Sequence, residues 1–151
     1  MNMSQSRIIL LLFCCFSIFA FGQVGINTTN PLSTLDINGN LSVKVLTLSG
    51  GGSAATATII NDGVYISLDP RNNTTDHFSL PNPSDVPGRI YFIRNITNFD
   101  TAKLSIQGQN GNLRFFPKNS STGSNTLDLP PNSQNKTIIL VSDGFNWTYY
   151  N

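Results

Sequence analysis

From Val24 to the end of the chain, apolar residues come in short runs, and no window longer than about ten residues has helical periodicity. The runs are broken by Asn-Pro, Asn-Gly, Asp-Gly and Gly-Gly pairs, the dipeptides at which a chain turns. A chain built this way can bury apolar surface only by pairing strands. TATII (56–60), VYISL (64–68) and HFSL (77–80) have strand length, and KLSIQG (103–108) alternates apolar with polar. RIYFIRNI (89–96) is a near-continuous β-branched and aromatic run, the pattern of a strand buried on both faces. Asn61-Asp62-Gly63 predicts a tight hairpin turn, and Asp143-Gly144 predicts another between the last two runs. Three prolines in PNPSDVPG (81–88) make that stretch an extended connection rather than sheet interior.

Composition agrees with the pattern. The chain contains no glutamate, and eighteen asparagines follow residue 22, with abundant Thr, Ser and Gly; these are turn and strand-surface residues. The expected core consists of Phe92, Ile93, Leu104, Ile106, Phe115, Ile138, Leu140, Val141, Trp147 and Tyr149, each contributing about 1.5–3 kcal/mol when buried. Residues 24–59 hold only scattered Val, Ile and Leu and no aromatic side chain. A region so thin in apolar side chains gains stability by sharing a core with copies of itself, which points to an oligomer.

The first residues bear on destination. Arg7 precedes an apolar run from Ile8 to Ala20, followed by a small-x-small pair at Ala20 and Gly22, the layout of a cleavable signal peptide. The run is shorter than the roughly 20 residues that span a bilayer. Cleavage is expected between Gly22 and Gln23, leaving 129 of the 151 residues. Cys14 and Cys15 leave with the signal, so the exported chain has neither disulfide nor thiol nucleophile. Eight Lys and Arg then balance eight Asp, and no basic block offers a nucleic acid its phosphate contacts. No integral membrane segment is expected after the signal, and no cofactor.

VGINTTNPLSTLDINGNLSV (24–43) resembles the "VGIGTT-x-P-x-x-x-LDVNG" opening found directly after the signal peptide in many secreted and surface proteins of Gram-negative bacteria, and in bacteriophage tail-fibre proteins. The matching residues are Val24, Gly25, Ile26, Thr28, Thr29, Pro31, Leu35, Asp36, Ile37, Asn38 and Gly39. Asn27 stands where that family usually has glycine. GRIYFIRNIT (88–97) and LPPNSQNKTIILVSDGFNW (129–147) are similar to the small fibre-tip-like β-domains of such proteins. The resemblance implies a trimeric β-structured shaft or head displayed at or beyond the outer surface. The motif would then be an inter-chain assembly element; its alternative is an N-terminal strand that pairs with its own domain.

The fold expected is all-β: a short N-terminal β-strand assembly segment followed by a small antiparallel β-sandwich or fibre-head-like domain. The divisions are a signal peptide at 1–22, an assembly segment at 23–49, a Gly/Ser/Ala-rich joint at 50–58 and a C-terminal all-β domain at 59–151. Chemistry is sparse. Asp36-Ile37-Asn38-Gly39-Asn40 alternates oxygen donors as a calcium loop does, but no closing bidentate acid follows, and Asn-Gly is foremost a turn. His77 beside Asp76 could orient a base, yet no Gly-x-Ser-x-Gly elbow is present. Asp100, Asp128 and Asp143 sit in turn-like contexts rather than as a glycosidase pair. Trp147 and Tyr150 are the candidate ligand-binding aromatics, able to stack on sugar rings. Asp100-Thr101-Ala102 resembles a short acceptor for O-glycosylation and makes Thr101 a candidate modification site.

The sequence therefore predicts a non-enzymatic exported structural or adhesive protein, fibre- or head-like and homotrimeric, whose partners are itself and surface glycans or other surface proteins. The alternative is a monomeric secreted glycan-binding β-sandwich that uses its C-terminal aromatics. A hydrolase is a distant third.

Overall fold

A computed structural model of the chain describes residues 24–29, 33–71, 76–108 and 111–151. The expected signal peptide, its cleavage site at Gly22 and Gln23, and Pro31 of the motif lie outside the described residues. The chain divides into two units between Ser42 and Val43, ahead of the glycine run.

The first unit contains β1 (Val24–Ile26) and β2 (Leu35–Ile37), paired in parallel with Val24 opposite Leu35 and Ile26 opposite Ile37. Backbone bonds extend the ladder at both ends, from Val24 N–H to Thr34 C=O (2.8 Å) and from Asn38 N–H to Ile26 C=O (3.0 Å).

The second unit holds β3 (Val45–Ser49), β4 (Thr58–Ile59), β5 (Tyr65–Asp69), β6 (His77–Leu80), β7 (Ile90–Asn95), β8 (Ala102–Ile106), β9 (Phe115–Pro117), β10 (Leu127–Leu129), β11 (Thr137–Ser142) and β12 (Trp147–Tyr150). They form a six-stranded sheet in the order β3-β5-β7-β11-β12-β9 and a four-stranded sheet in the order β10-β8-β6-β4. From β3 to β8 the chain passes alternately from one sheet to the other. Each strand lies parallel to the one two places earlier: β3, β5 and β7 in the larger sheet, β4, β6 and β8 in the smaller.

This coiled path explains how neighbouring strands can be parallel without helices. A parallel pair needs a crossover of a dozen or more residues, and here the crossover is a strand of the opposite sheet. Val45 pairs with Tyr65 and Thr58 with Phe78, both offsets of 20 residues. The next turn is longer, 27 residues from Tyr65 to Phe92 and 26 from Phe78 to Leu104. The added length lies in the β6–β7 link, where the proline-rich stretch makes a single 3-10 turn at Pro83–Asp85, capped by Asn82 Oδ1 on Ser84 N–H (3.1 Å).

The fold is all-β, as expected, but its pairing is mixed rather than antiparallel throughout. Among the described strands, antiparallel pairing is confined to β7–β11–β12 and β8–β10. Asp143-Gly144 does sit in the β11–β12 hairpin, with Gly144 at φ 89°. Asn61-Asp62-Gly63 does not make one, because β4 and β5 belong to different sheets and each pairs with a strand beyond. The glycine run is a packed turn: Thr56 Oγ1 donates to Gly51 C=O, and a Cβ on Gly51 would overlap the Thr56 carbonyl. β3, placed with the assembly segment by sequence, is an edge strand of the larger sheet, and β4 starts inside the expected joint.

Both sheets feed one apolar core. Ile66, Leu68, Tyr91, Ile93, Phe115, Ile138, Leu140 and Trp147 come from the larger sheet; Phe78, Leu80, Leu104, Ile106, Leu127 and Leu129 come from the smaller. Two of the expected core residues are elsewhere. β7 alternates buried and exposed, so Tyr91 and Ile93 point in while Ile90 and Phe92 point out, and RIYFIRNI is covered on one face only. Val141 is likewise on the outward side of β11, between buried Leu140 and Ser142. A run of apolar residues conceals a period-2 pattern when its outward positions are apolar too.

Candidate functional site

The N-terminal motif forms a small closed element. Asn27 has φ 57°, in the left-handed region that glycine and asparagine tolerate best, which accounts for asparagine at a position where the resembling sequences carry glycine. Its Nδ2 donates to Asn38 C=O (3.0 Å), so Asn27 and Asn38 join the ends of β1 and β2. Asn38 thus serves the turn through its backbone, and Gly39 has open space around it. Three aliphatic side chains of this element remain largely uncovered, Val24 at 54 % exposed, Ile26 at 50 % and Leu35 at 55 %, while Ile37 is half-buried. Gly25 is exposed between them, opposite Asp36.

The two C-terminal aromatics part company. Trp147 is fully buried, 5.6 Å from the Tyr91 ring centroid, with its Nε1–H on Pro81 C=O (3.2 Å). It is a core residue and offers no surface to a ligand. Tyr150 lies on the opposite side of β12 and is 44 % exposed. Beside it is a shallow depression of about 250 Å³ lined by Thr137, Ile138, Ile139, Tyr150 and Asn151.

His77 and Asp76 do not form an oriented base. His77 Nδ1 is buried with no hydrogen-bond partner among the described residues, whereas the Asp76 carboxylate accepts the Arg71 N–H. The remaining aspartates stand apart in role. Asp143 Oδ1 accepts from Phe145 N–H (2.7 Å) and Asn146 N–H (2.6 Å), fixing the β11–β12 turn. Asp128 is exposed on β10, and Asp100 is buried in the β7–β8 loop. Thr101 is half-buried between buried Asp100 and Ala102, so an enzyme reading Asp-Thr-Ala on the folded chain would meet little beyond the threonine itself. Among the described residues no three metal-ligating side chains cluster, and no helix is long and apolar enough to cross a membrane.

One residue that sequence reasoning passed over organises the β7–β8 loop. Asn95 is fully buried; its Nδ2 donates to Asp100 C=O (2.7 Å) and Leu129 C=O (2.8 Å), and its Oδ1 accepts from Thr97 N–H and Oγ1 (both 3.0 Å). The bond to Leu129 ties the larger sheet to the smaller. A sequence signal exists, since an asparagine at an inward strand position must find partners or not be there.

No family model, no curated protein and no solved structure matches this chain.

Proposed function

We propose that this chain is a non-enzymatic exported structural or adhesive protein, fibre- or head-like and homotrimeric, acting at or beyond a bacterial cell surface. The carrying observation is the β1–β2 element. Two three-residue strands cannot hold themselves in water, because an isolated two-stranded ribbon is marginal even at greater length. Yet Val24, Ile26 and Leu35 are left half-exposed or more by the described residues of their own chain. Contact with the same element of neighbouring copies supplies the missing partner, as the resemblance to trimeric shaft and head proteins implies. The apolar Ile8–Ala20 run behind Arg7 supports export.

Light scattering coupled to size exclusion on residues 23–151 tests this. The expected mass is three chains, and Ile26→Asp combined with Leu35→Asp should reduce it to one. A monomer before substitution overturns the trimer.

A further inference from the structure

We infer that the outward face of the six-stranded sheet binds uncharged carbohydrate, with Tyr65, Phe92 and Tyr150 as the stacking platform. This gives a ligand class to the adhesive part of the function proposed above and rests on it, though not on the trimer. The register places one side chain from each of five strands in a single line: Val45 opposite Tyr65, Tyr65 opposite Phe92, Phe92 opposite Ile139, and Ile139 opposite Tyr150. All five point away from the core; Val45, Phe92, Ile139 and Tyr150 are exposed and Tyr65 is half-buried. Lone exposed apolar residues are ordinary on any protein, but an in-register row is a surface.

The chemistry on either side of the row selects the ligand. One row along, the same face presents Thr47, Ser67, Arg94 and Thr137; on the other side lie Ile90, Val141 and Thr148. The depression beside Tyr150 is lined by Thr137, Ile138, Ile139, Tyr150 and Asn151, with no charged side chain. Hydroxyls and an amide around an aromatic face suit a molecule with one apolar face and polar edges, which describes a sugar ring. Arg94 is the one charge in the flanking row and Lys118 Nζ is held on Asn151 C=O (3.2 Å), so the lining of the depression itself offers no charged side chain to a phosphate, carboxylate or ammonium group. The depression is smaller than the roughly 300–1,000 Å³ of pockets that enclose drug-sized ligands, so it seats a single ring rather than a cofactor.

Size also argues against a second copy here. Strands about 4.8 Å apart make the row roughly 19 Å long, and two rows along the strands are about 14 Å deep. That area, near 270 Å², is a third of the approximately 800 Å² each partner contributes to a standard protein interface. A line of rings crossing the strands suits an extended oligosaccharide lying over it.

The test is an array of neutral hexasaccharides of glucose, mannose, galactose and N-acetylglucosamine, with sialylated and sulfated counterparts, probed with the exported chain (residues 23–151). Binding to at least one neutral hexasaccharide is expected. Tyr150→Ala and Phe92→Ala should each weaken it about tenfold, and Tyr150→Phe, which keeps the ring, should retain it. Circular dichroism on each variant confirms that the fold persists. No neutral glycan bound, binding confined to the charged sugars, or affinity unchanged in folded Tyr150→Ala would overturn the inference. So would Phe92→Ala or Tyr150→Ala lowering the mass seen by light scattering, since the face would then lie between copies. The mass of the unsubstituted chain reports on the trimer separately, whatever the array shows.

Discussion

Residues 24–42 and residues 43–151 are written in much the same alphabet, rich in Asn, Thr, Ser and Leu, yet they reach structure by opposite means. The larger unit closes on itself. Its strands alternate inward and outward side chains, both sheets place their inward set on one core, and Trp147, Tyr91 and Phe78 are lost to solvent. The smaller element makes a correct ladder, with an asparagine in the left-handed conformation tying its ends, and leaves Val24, Ile26 and Leu35 about half-exposed. Backbone pairing is therefore simple to specify locally, while a core requires a second layer. In the proposed trimer, neighbouring copies supply that layer to the smaller element.

Breaking the larger unit should have the greatest effect. Trp147→Ala leaves a cavity against Tyr91 and frees the Pro81 carbonyl, at an expected cost of about 3–5 kcal/mol in urea unfolding. Asn95→Ala should cost about 3 kcal/mol by the same measurement, because the Leu129 and Asp100 carbonyls lose a buried donor. A loss below about 1 kcal/mol for Asn95→Ala would mean that the bond between the sheets is incidental.

The smaller element should respond differently. In a monomer, Ile26→Ser would change stability by less than about 0.5 kcal/mol, since the side chain is already wet. In the proposed trimer the same substitution should lower the unfolding midpoint, and more so in dilute solution, because assembly contributes through mass action.

The smallest effect concerns Asp62, in the β4–β5 link. The Lys44 ammonium, and then the Gly63 N–H (2.7 Å), hold its carboxyl below the ordinary range. A carboxyl lowered in the folded state adds stability above its unfolded value and loses it as the pH falls through the folded one. The pair is solvent-exposed, so the contribution is small. Comparing the chain with Asp62→Asn across the acid range should show a slightly steeper acid loss in the unsubstituted protein; parallel curves would mean the pair contributes nothing.

Glycan recognition sharpens the comparison in a separate way, because the row at Tyr65, Phe92 and Tyr150 belongs wholly to the self-sufficient unit. If binding survives in a variant reduced to monomer by Ile26→Asp and Leu35→Asp, assembly and adhesion are divided between the two regions.

Much of the fold is legible in the residues alone. Residue types and turn pairs make the chain all-β, locate most of the strands and pick out seven of the sixteen buried core residues, because side-chain period and turn chemistry act over a few residues. The hairpin at Asp143-Gly144 is readable for the same reason. An internal period is legible too, though weak: VLTLS at 45–49 and YISLD at 65–69 stand 20 residues apart and lie side by side. The seven residues added at the β6–β7 link hide the third turn from simple inspection.

Partnership between distant strands is decided only in three dimensions. A run such as ATII followed by Asn-Asp-Gly reads locally as half a hairpin, and nothing nearby says that each strand will instead join one a full turn away. Burial follows the same logic. Phe92 and Ile93 are equally apolar neighbours, and only the placement of the smaller sheet against one face of β7 sends Ile93 into the core and leaves Phe92 in line with Tyr65 and Tyr150. Local chemistry determined that there would be strands and where each would turn. Which side of each strand met the second layer, and so which aromatics became core and which became surface, depended on contacts between residues far apart in the chain.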